Sequence, residues 1–427
     1  MKVKNWLRSN HSNAVDGGAT PSYYSSSATS TPSTVSSYGS LQSNLSLQTL
    51  PSVRSLQTTL SPESSLNLSV THTLTSSLRH HNQTISSLAV DGNLLYSASG
   101  NQISIYDISD PKTLIPVNSF NANDSASGSV KSLAFCNNGN VISSHQSGKI
   151  KVWRFEKQSK KHKLVATLPT VNDKILRLLL PGSYVKVRRH KTRMWIEHND
   201  AVSGLAVAEN LICSVSWDKS LKIWRPSDFK CQQSIPAHED AVNAVVLSQD
   251  GIVYTGCADG RIRVWNQPEP GSRSGNKYGL ISTLEKHKSA VNALALSADG
   301  GTLFSGACDR SILVWEREDS SSFMAVSGAL RGHAKAILCL VCHGDMLISG
   351  SADRTVRIWA KGAVGRFCCL AVLDGHRSPV KSIVAVSGSG GAVSVYSGGL
   401  DGEIRVWEVT VSDLVKNSSS VLSFNER

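Results

Sequence analysis

The sequence lacks the segments and motifs that would place it in a membrane or in a common enzyme class. Its 427 residues contain no run of 18 apolar residues, so no membrane-spanning helix is predicted. The N-terminus has no apolar secretory core, although Lys2, Lys4 and Arg8 before a Ser-rich stretch resemble a weak organellar transit peptide. A P-loop, a His-Glu-x-x-His motif, a helix-opening Gly-x-Gly-x-x-Gly and a Gly-x-Ser-x-Gly elbow are all missing. These absences favour a non-catalytic protein without a cofactor or metal.

Cysteine usage indicates free thiols rather than disulfides. The nine cysteines are an odd number, and most fall in predicted strands: Cys136, Cys213, Cys257, Cys308, Cys339 and Cys368. Such thiols pack as small apolar side chains in a reducing compartment. Cys339 and Cys342 have the spacing of a redox or zinc pair, but residues three apart on a strand point to opposite faces.

A pattern of Ser or Thr, Asp and Trp recurs five times along the chain. Asp follows the hydroxyl residue by four positions, Trp follows Asp by six, and a His stands upstream of each hydroxyl residue at the start of the same repeat. The five sets are His198, Ser214, Asp218 and Trp224; His238, Thr255, Asp259 and Trp265; His287, Ser305, Asp309 and Trp315; His333, Ser349, Asp353 and Trp359; and His376, Ser397, Asp401 and Trp407. Apolar residues fall at every second position around them, which predicts strands.

Two weaker repeats precede these five in the same frame. Their residues are Ser143, Ser147 and Trp153 in one, and His81, Ser97, Gly100 and Tyr106 in the other. The repeats resemble the tryptophan-aspartate (WD) family of β-propellers, in which one repeat forms a four-stranded blade. The resemblance implies an all-β fold, a seven-bladed WD-repeat propeller over residues 67–411, followed by a tail at 412–427. Residues 68–74 are expected to supply the outer strand of the last blade, which leaves no open sheet edge between the ends of the ring.

Several stretches resemble more narrowly the plant Jingubang-type branch of the WD-repeat family. They are residues 165–170, 184–190, 195–198, 200–202 and 216–219. This resemblance covers the propeller and not clearly the Ser-rich segment before it. It implies a scaffold that acts in signalling or transcriptional control.

The WD resemblance implies a structural role for the His, Ser/Thr, Asp and Trp sets. In WD repeats the indole N–H meets the hydroxyl, the hydroxyl meets His, and His meets the Asp carboxylate. An enzyme needs one activated nucleophile beside an oxyanion hole, whereas these sets occur once per blade. A buried polar group without its partner costs about 1 to 3 kcal/mol, so the relay is expected to stabilise each blade.

The N-terminal segment, residues 1–66, is predicted to form a disordered tail. It contains 18 Ser and 7 Thr with few charges, too little apolar surface to offset the chain entropy lost on folding. Thr20, Thr31 and Ser61 each precede Pro. These dipeptides are either proline-directed phosphorylation sites or chance occurrences in a Ser/Thr-rich tract.

An insertion is predicted at residues 154–197. Trp153 and Trp224 are 71 residues apart, about 25 more than a repeat needs. Residues 163–168 are expected to be the outer strand of the third blade, so the extra residues lie in a loop on the top face. Thr170 is a predicted helix cap with Asp173 at the third helical position. The apolar stripe of Ile175, Leu178 and Leu179 either packs on the blade rim or binds a partner.

Most of the net charge of +12 resides in this insertion. Residues 156–195 carry seven Lys and four Arg against two acidic residues, a balance of +9. The basic patch consists of Lys157, Lys160, Lys161, Lys163, Lys186, Arg188, Arg189, Lys191 and Arg193. Such runs are typical of nuclear-import signals, acidic-partner sites, nucleic-acid patches or merely solvated loops. Nucleic acid is the least favoured of these, because only Tyr184 and Trp195 are aromatic among the cations.

The WD resemblance also implies a protein-binding surface at the mouth of the central channel. In that family the residue five positions after the blade His points to the top of the channel and contacts peptides. Carried over by position, these residues are Ser86, Lys131, Ser203, Asn243, Asn292, Leu338 and Lys381. Trp217, beside Asp218 at a hairpin tip, is expected on the same face, either as an exposed aromatic anchor or packed against the insertion.

The sequence therefore predicts a non-catalytic scaffold that binds partner proteins on the top face, in the cytoplasm and nucleus. The expected partners are a transcription factor, a kinase or another signalling component. Two alternatives stay open, a substrate receptor of a cullin-type ubiquitin ligase and a nucleic-acid-associated nuclear factor. The residue after the blade Trp is never Asp. That absence weighs against the ligase, because its adaptors commonly carry Trp-Asp-x-Arg there.

Overall fold

A computed structural model describes most of the chain. The described residues are 53–57, 68–79, 83–110, 112–136, 139–156, 158–159, 161–178, 184–188, 191–268, 277–318, 323–362, 365–388 and 391–413. Within these ranges no helix has the length and apolar character to cross a bilayer. Most of the predicted N-terminal tail, its candidate phosphorylation sites, His81 and residues 414–427 lie outside the described part.

Seven antiparallel four-stranded sheets form the blades, one for each predicted repeat. Strand β1 is Leu68–Leu78. Blade 1 consists of β2 (Ile85–Asp91), β3 (Leu94–Ser99), β4 (Gln102–Asp107) and β5 (Ile115–Phe120). A short 3₁₀ turn, Ser125–Ser127, precedes blade 2, which consists of β6 (Val130–Phe135), β7 (Asn140–His145), β8 (Ile150–Glu156) and β9 (Lys161–Leu168). The insertion then supplies helix α1 (Val171–Leu178) and the hairpin β10 (Tyr184–Arg188) and β11 (Lys191–Met194).

The described residues after the insertion form the remaining blades. Blade 3 is β12 (Val202–Ala208), β13 (Leu211–Ser216), β14 (Ser220–Trp224) and β15 (Cys231–Pro236). Blade 4 is β16 (Val242–Leu247), β17 (Val253–Cys257), β18 (Arg261–Asn266) and β19 (Gly279–Glu285). Blade 5 is β20 (Val291–Leu296), β21 (Thr302–Ala307), β22 (Ile312–Arg317) and β23 (Met324–Leu330). Blade 6 is β24 (Ile337–His343), β25 (Met346–Ser351), β26 (Val356–Lys361) and β27 (Phe367–Leu373). Blade 7 is β28 (Val380–Ser387), β29 (Ala392–Gly399), β30 (Ile404–Asp413) and the early strand β1.

The blades form a closed ring around a central channel. The first strand of each blade contacts the first strands of both neighbouring blades, and β2 of blade 1 contacts β28 of blade 7. Strand β1 pairs with β30 from Leu68 opposite Asp413 to Leu78 opposite Ile404. This pairing confirms the predicted closure and the seven-bladed, all-β fold. It joins two parts of the chain that are far apart in the sequence, so no blade lacks its outer strand.

Neighbouring blades pack through their apolar faces. Trp265 of blade 4 lies in one core cluster with Leu211 and Ile223 of blade 3. Burying each such side chain stabilises the fold by roughly 1.5 to 3 kcal/mol. The contact is close at Gly306, where a Cβ atom would lie 2.4 Å from Cγ2 of Ile337 in the next blade. A small residue after the relay hydroxyl therefore allows blades 5 and 6 to meet.

Two stretches differ from the sequence-based expectation. Residues 163–168 lie in β9, which is the outer strand of blade 2 rather than of blade 3. The sequence predicts that residues 53–57 belong to a disordered tail, but Ser55 pairs with Ala329 and Gln57 with Phe367 in the outer strands of blades 5 and 6. The average composition of the tail does not predict this contact, because only two apolar side chains of the segment, Val53 and Leu56, are buried by it.

Candidate protein-binding face and its polar relays

The top face of the ring carries the loops that enter each first strand and the turns between second and third strands. In blade 3, His198 lies in such a loop and Asp218 in such a turn. Nδ1 of His198 is 3.2 Å from Oδ2 of Asp218. His and Asp side chains from the same two positions face each other in blades 4 to 7. The relays therefore lie directly beneath the top face.

Two links of the relay are nearly identical in blades 3 to 7. The Trp indole N–H donates to the Ser or Thr hydroxyl at 2.8–2.9 Å. The same hydroxyl lies 2.7–2.9 Å from Nε2 of the His. Because an indole can only donate, the hydroxyl accepts from Trp. The same hydroxyl contacts the imidazole, so it links the Trp and His side chains of each blade.

The third link, from His Nδ1 to the Asp carboxylate, varies among the blades. Its length is 3.2 Å to Asp218, 2.9 Å to Asp309 and 2.8 Å to Asp353. In blades 4 and 7 it is 3.5 Å to Asp259 and 3.8 Å to Asp401. The predicted relay residues thus come together in all five blades, but the carboxylate is within hydrogen-bond distance of His in three.

The residue two positions after Asp differs between these two groups of blades. In the three blades with a short link it is Ser220, Ser311 or Thr355, and its hydroxyl donates to Oδ1 of the Asp at 2.5–2.7 Å. In the other two blades this position holds Arg261 or Glu403, which have no hydroxyl. In all five blades the backbone N–H at this position donates to Oδ1, and the hydroxyl adds a second hydrogen bond to the same oxygen in the three blades with a short link. A Ser or Thr two positions after Asp is visible in the sequence, but the predicted relay did not include it.

Burial and hydrogen bonding shift the pKa values of these groups. Burial lowers the pKa of His333, against the opposing effect of Asp353. Burial acts to raise the pKa of the Asp353 carboxyl, but the hydrogen bonds from His333 and Thr355 outweigh it and hold that pKa well below its usual range. Burial also acts to raise the pKa of Asp259, but the nearby His238 and the backbone N–H of Arg261, which donates to Oδ1 at 2.8 Å, lower that pKa to about 2. Both carboxylates are therefore ionised at neutral pH.

Blade 2 builds its relay from a different histidine. Trp153 donates to Ser143 at 2.8 Å, and Nε2 of His145 lies 3.0 Å from the same hydroxyl. His145 lies on β7, two residues after Ser143, rather than in the loop entering the blade. Burial, together with the positive charge of Lys151, lowers the pKa of His145 to about 4. The sequence pattern did not indicate His145, because this residue lies on a strand and not at the loop position that the other relay histidines share.

One group in blade 4 combines three residue types that bind metals. Donor atoms of His238, Cys257 and Asp259 lie within 4.8 Å of one another. However, burial raises the pKa of the Cys257 thiol to about 12. Its sulfur also accepts from the backbone N–H of Asp259 at 3.4 Å and donates to the carbonyl of Asp240 at 3.3 Å. Because a metal needs the thiolate, this group fits a hydrogen-bonded turn better than a metal site.

The predicted channel-mouth residues are largely engaged within the ring. In three of them the side chain donates to a backbone carbonyl in the first strand of the next blade. The pairs are Ser203 with Val242 at 2.5 Å, Asn243 with Val291 at 3.0 Å and Asn292 with Ile337 at 2.9 Å. Ser86 donates to the carbonyl of Ala98 at 3.1 Å, and Leu338 is buried. These five side chains hold blades together or fill space.

Lys131 and Lys381 are the charged members of the channel mouth. Both are half-buried, on β6 of blade 2 and β28 of blade 7, the two neighbours of blade 1. Burial and the charge of Lys381 lower the pKa of Lys131 to about 8, and burial lowers the pKa of Lys381. Among the described residues, no carboxylate forms an ion pair with either ammonium group. The channel mouth therefore concentrates positive charge.

Of the two alternatives for Trp217, an exposed aromatic anchor or packing against the insertion, the structure does not form the exposed anchor. Its side chain is only 8% exposed, and Nζ of Lys131 lies 5.9 Å from its ring centroid. Its backbone N–H donates to the carbonyl of Ala201 at 3.0 Å, which fixes the turn. The exposed alternative is therefore wrong, because the turn places the ring beside the channel lysine and not in solvent. A cation beside an aromatic ring is favourable, so Trp217 supports Lys131.

Helix α1 begins as predicted, with the hydroxyl of Thr170 accepting from the N–H of Asp173 at 3.1 Å. It docks on blade 3 through polar contacts. Buried Asp173 accepts from Arg177 at 2.8 Å and from the N–H of Cys231 at 3.3 Å. The guanidinium of Arg177 also lies 4.3 Å from the ring centroid of Trp195.

The apolar side of helix α1 faces outward. Val171, Ile175, Leu176 and Leu178 are each more than half exposed. The alternative in which Ile175 and Leu178 pack against the blade rim is therefore wrong, because the polar side of the helix contacts the rim. Leu179 lies outside the described residues.

The basic patch divides between two strand pairs. Lys161 and Lys163 lie exposed on β9 at the edge of blade 2. Lys186, Arg188, Lys191 and Arg193 lie on the hairpin β10–β11, and Nη1 of Arg193 donates to the carbonyl of His198 at 3.1 Å. Lys157, Lys160 and Arg189 are outside the described residues. Arg193 thus has a structural contact that a purely solvated loop would not require.

The fold and its relays define a WD-repeat β-propeller. The WD domain, G-beta repeat family matches residues 72–107, 115–154, 189–225, 229–266, 279–316, 325–360 and 367–408. The chain belongs to this WD40 family.

Several curated proteins are similar to part of the chain. "Ribosome biogenesis protein ytm1" of Aspergillus oryzae is 26% identical over 278 residues, 60% of this chain and 52% of that protein. "Ribosome biogenesis protein WDR12 homolog" of Chlamydomonas reinhardtii is 26% identical over 219 residues, 50% of this chain and 44% of that protein. "Small ribosomal subunit protein RACK1y" of Oryza sativa is 30% identical over 145 residues, 25% of this chain and 43% of that protein. The chain spans about half the length of the curated relatives it matches.

Proposed function

We propose that this chain is a non-catalytic scaffold that binds partner proteins at the mouth of its central channel. The observation that carries the proposal is the pair of half-buried ammonium groups, Lys131 and Lys381, without a carboxylate partner among the described residues. Burying two like charges near each other is unfavourable unless an anion offsets them. An Asp or Glu side chain of a partner would supply that anion, with the ring of Trp217 beside it.

A non-catalytic role is also supported by how the relay hydroxyls are used. Each one accepts from a Trp indole and contacts a His, beneath the surface of a blade. Ser214, Ser305, Ser349 and Ser397 are fully buried. A substrate could not reach them without opening the blade, so we assign them to stability.

The proposal also includes the cellular process in which the scaffold acts. The sequence alone favours plant signalling or transcriptional control with a transcription factor or kinase as partner. The named relatives instead belong to ribosome biogenesis or to a ribosomal subunit, and they lend no support to the Jingubang-type assignment. They favour a nuclear setting in ribosome assembly. The basic residues of the insertion fit this second candidate, in which the scaffold works close to RNA.

Affinity purification of the tagged full chain from eukaryotic cells, with and without ribonuclease, tests the setting. Pre-ribosomal proteins would support the assembly role, and their loss after ribonuclease would indicate contact through RNA. A transcription factor or kinase that resists the nuclease would restore the signalling role. Recovery of cullin adaptors would replace both with a ligase receptor. Recovery of no protein above an unrelated propeller control would contradict the scaffold itself.

A further inference from the structure

Residues 53–57 lie in a groove between the outer strands of blades 5 and 6. The N–H of Leu56 donates to the carbonyl of Ala329 on β23 at 3.0 Å, and the N–H of Ala329 donates to the carbonyl of Arg54 at 2.9 Å. On the other side, the N–H of Phe367 on β27 donates to the carbonyl of Leu56 at 2.9 Å. The segment therefore runs parallel to both outer strands and pairs with each of them.

The side chains of the segment divide into buried and exposed positions. Val53 and Leu56 are each only 7% exposed, whereas Arg54 and Ser55 face solvent. Leu56 belongs to the core cluster that blades 5 and 6 share, together with Phe304 and Trp359. The groove thus selects an apolar residue and, three positions later, a Leu.

A polar contact fixes the register of the segment. Oε1 of Gln57 accepts from the backbone N–H of Arg331 at 3.2 Å. The guanidinium of the same arginine donates from Nη2 to the carbonyl of Val53 at 3.2 Å. Arg331 therefore contacts both ends of the five residues, and a Gln after the Leu is part of the recognised pattern.

The groove is shaped by a glycine. A Cβ atom on Gly328 would lie 2.3 Å from Cγ of Leu56 and 2.9 Å from the carbonyl oxygen of Arg54. The φ angle of Gly328 is not in the left-handed region, so its backbone does not require glycine. The missing side chain instead leaves the space that the segment fills.

The propeller is complete without this segment. Blades 5 and 6 each have four strands, and β1 closes the ring at blade 7. Ten residues, 58–67, separate Gln57 from Leu68 in the sequence. Burial of two apolar side chains and a few hydrogen bonds stabilise the docked segment. The conformational entropy lost when its five residues become ordered costs a similar amount of free energy. Such a segment can leave the groove while the fold persists.

We propose that this groove is a docking site for an extended peptide, and that residues 53–57 are its resident, exchangeable ligand. The recognised pattern is an apolar residue, two exposed residues, Leu and Gln. An unstructured partner segment with this pattern would add to the edge of β23 as residues 53–57 do. The resident segment is tethered, which gives it an effective concentration on the order of millimolar. A free peptide therefore binds well only when the resident segment has been displaced.

Fluorescence anisotropy with the full chain tests this proposal. The probe is a labelled peptide of residues 50–59, and the control peptide carries Leu56→Asp. In a Leu56→Asp chain the resident segment leaves and the groove stays open, so the probe is expected to bind saturably and at least about tenfold tighter than to the unchanged chain. A Leu56→Asp, Gly328→Ala chain is the matched control, because the added methyl group blocks the groove. It should bind the probe at least about tenfold more weakly than Leu56→Asp alone.

A second design covers the case in which Leu56→Asp prevents folding. A specific protease site placed within residues 58–67 lets the chain fold with its own segment, which is cut afterwards and exchanged for the probe. Probe binding that follows the cut supports the docking site. Absence of probe binding to the folded, cut chain would overturn the proposal, as would equal binding to the Gly328→Ala chain or equal binding of the control peptide. A dimer formed through exchanged segments would support it, since the groove then accepts the peptide from another copy.

Discussion

Nδ1 of His333 lies 2.8 Å from Oδ2 of Asp353, while Oδ1 of the same carboxylate accepts from Oγ1 of Thr355 at 2.7 Å. The backbone N–H of Ala334 also donates to Oδ2 at 2.8 Å. One carboxylate thus joins the loop that enters blade 6 to the turn between its second and third strands. Removing it would leave the buried His333 without this partner, together with the N–H of Ala334 and the hydroxyl of Thr355.

Asp353→Ala is expected to destabilise the protein more than the equivalent change in blade 4. Asp353 accepts from His333, Ala334 and Thr355, so its loss should lower the free energy of unfolding by about 2 to 3 kcal/mol. Asp259 lies 3.5 Å from its His, and Asp259→Ala should cost about 1 kcal/mol. Urea denaturation of both variants measures the difference. Equal losses would contradict the role assigned to the short His–Asp contact.

Stability is expected to fall below neutral pH because of His145. Its pKa is about 4 in the folded chain and about 6.5 when unfolded, so between these values the unfolded chain binds a proton that the folded chain does not. The folded state should lose about 2 kcal/mol between pH 7 and pH 5 from this residue alone. Denaturation of the unchanged chain and His145→Gln at both pH values tests this. The variant should show the smaller loss, and an identical loss would mean that His145 is not the titrating group.

Reversing the charge of a channel lysine should weaken the main partner. Lys381→Glu places a carboxylate where we propose that the partner's acid binds, so affinity should fall by at least about tenfold, or roughly 1.4 kcal/mol. Lys277→Glu makes the same charge change at an exposed position beside blade 4 and should have little effect. Calorimetry on folded variants measures both. Similar losses would indicate a long-range charge effect rather than a site at the channel mouth.

The basic hairpin should influence location more than folding. Replacing Lys186, Arg188, Arg189 and Lys191 by Gln should reduce the nuclear fraction of a fluorescent fusion, because clustered basic residues are what import receptors recognise. Arg193 is kept, since it donates to the carbonyl of His198. The paired control replaces Lys161 and Lys163, which are exposed on β9. An unchanged distribution in the hairpin variant would show that the patch is only a solvated surface.

The channel-mouth prediction shows where position along the sequence was insufficient. The family pattern places Asn243 and Lys381 at equivalent sites, and both do lie on first strands. Only the structure shows that Asn243 donates its side chain to the next blade, whereas Lys381 keeps its ammonium group without a carboxylate partner among the described residues. Trp217 is a similar case, because exposure depends on how neighbouring turns cover it.

The sequence by itself determined the blades. Alternating apolar residues and one His, hydroxyl, Asp and Trp set per repeat give strands and a relay whose contacts are mostly within a single blade, so sequence spacing alone can reveal them. The tertiary structure decided what depends on contacts between blades: the partnership of Lys131 with Trp217 and the docking of residues 53–57 against Ala329 and Phe367. The physical reason is that a short segment has no periodicity of its own, and its burial depends on a groove formed by strands that lie far away along the sequence.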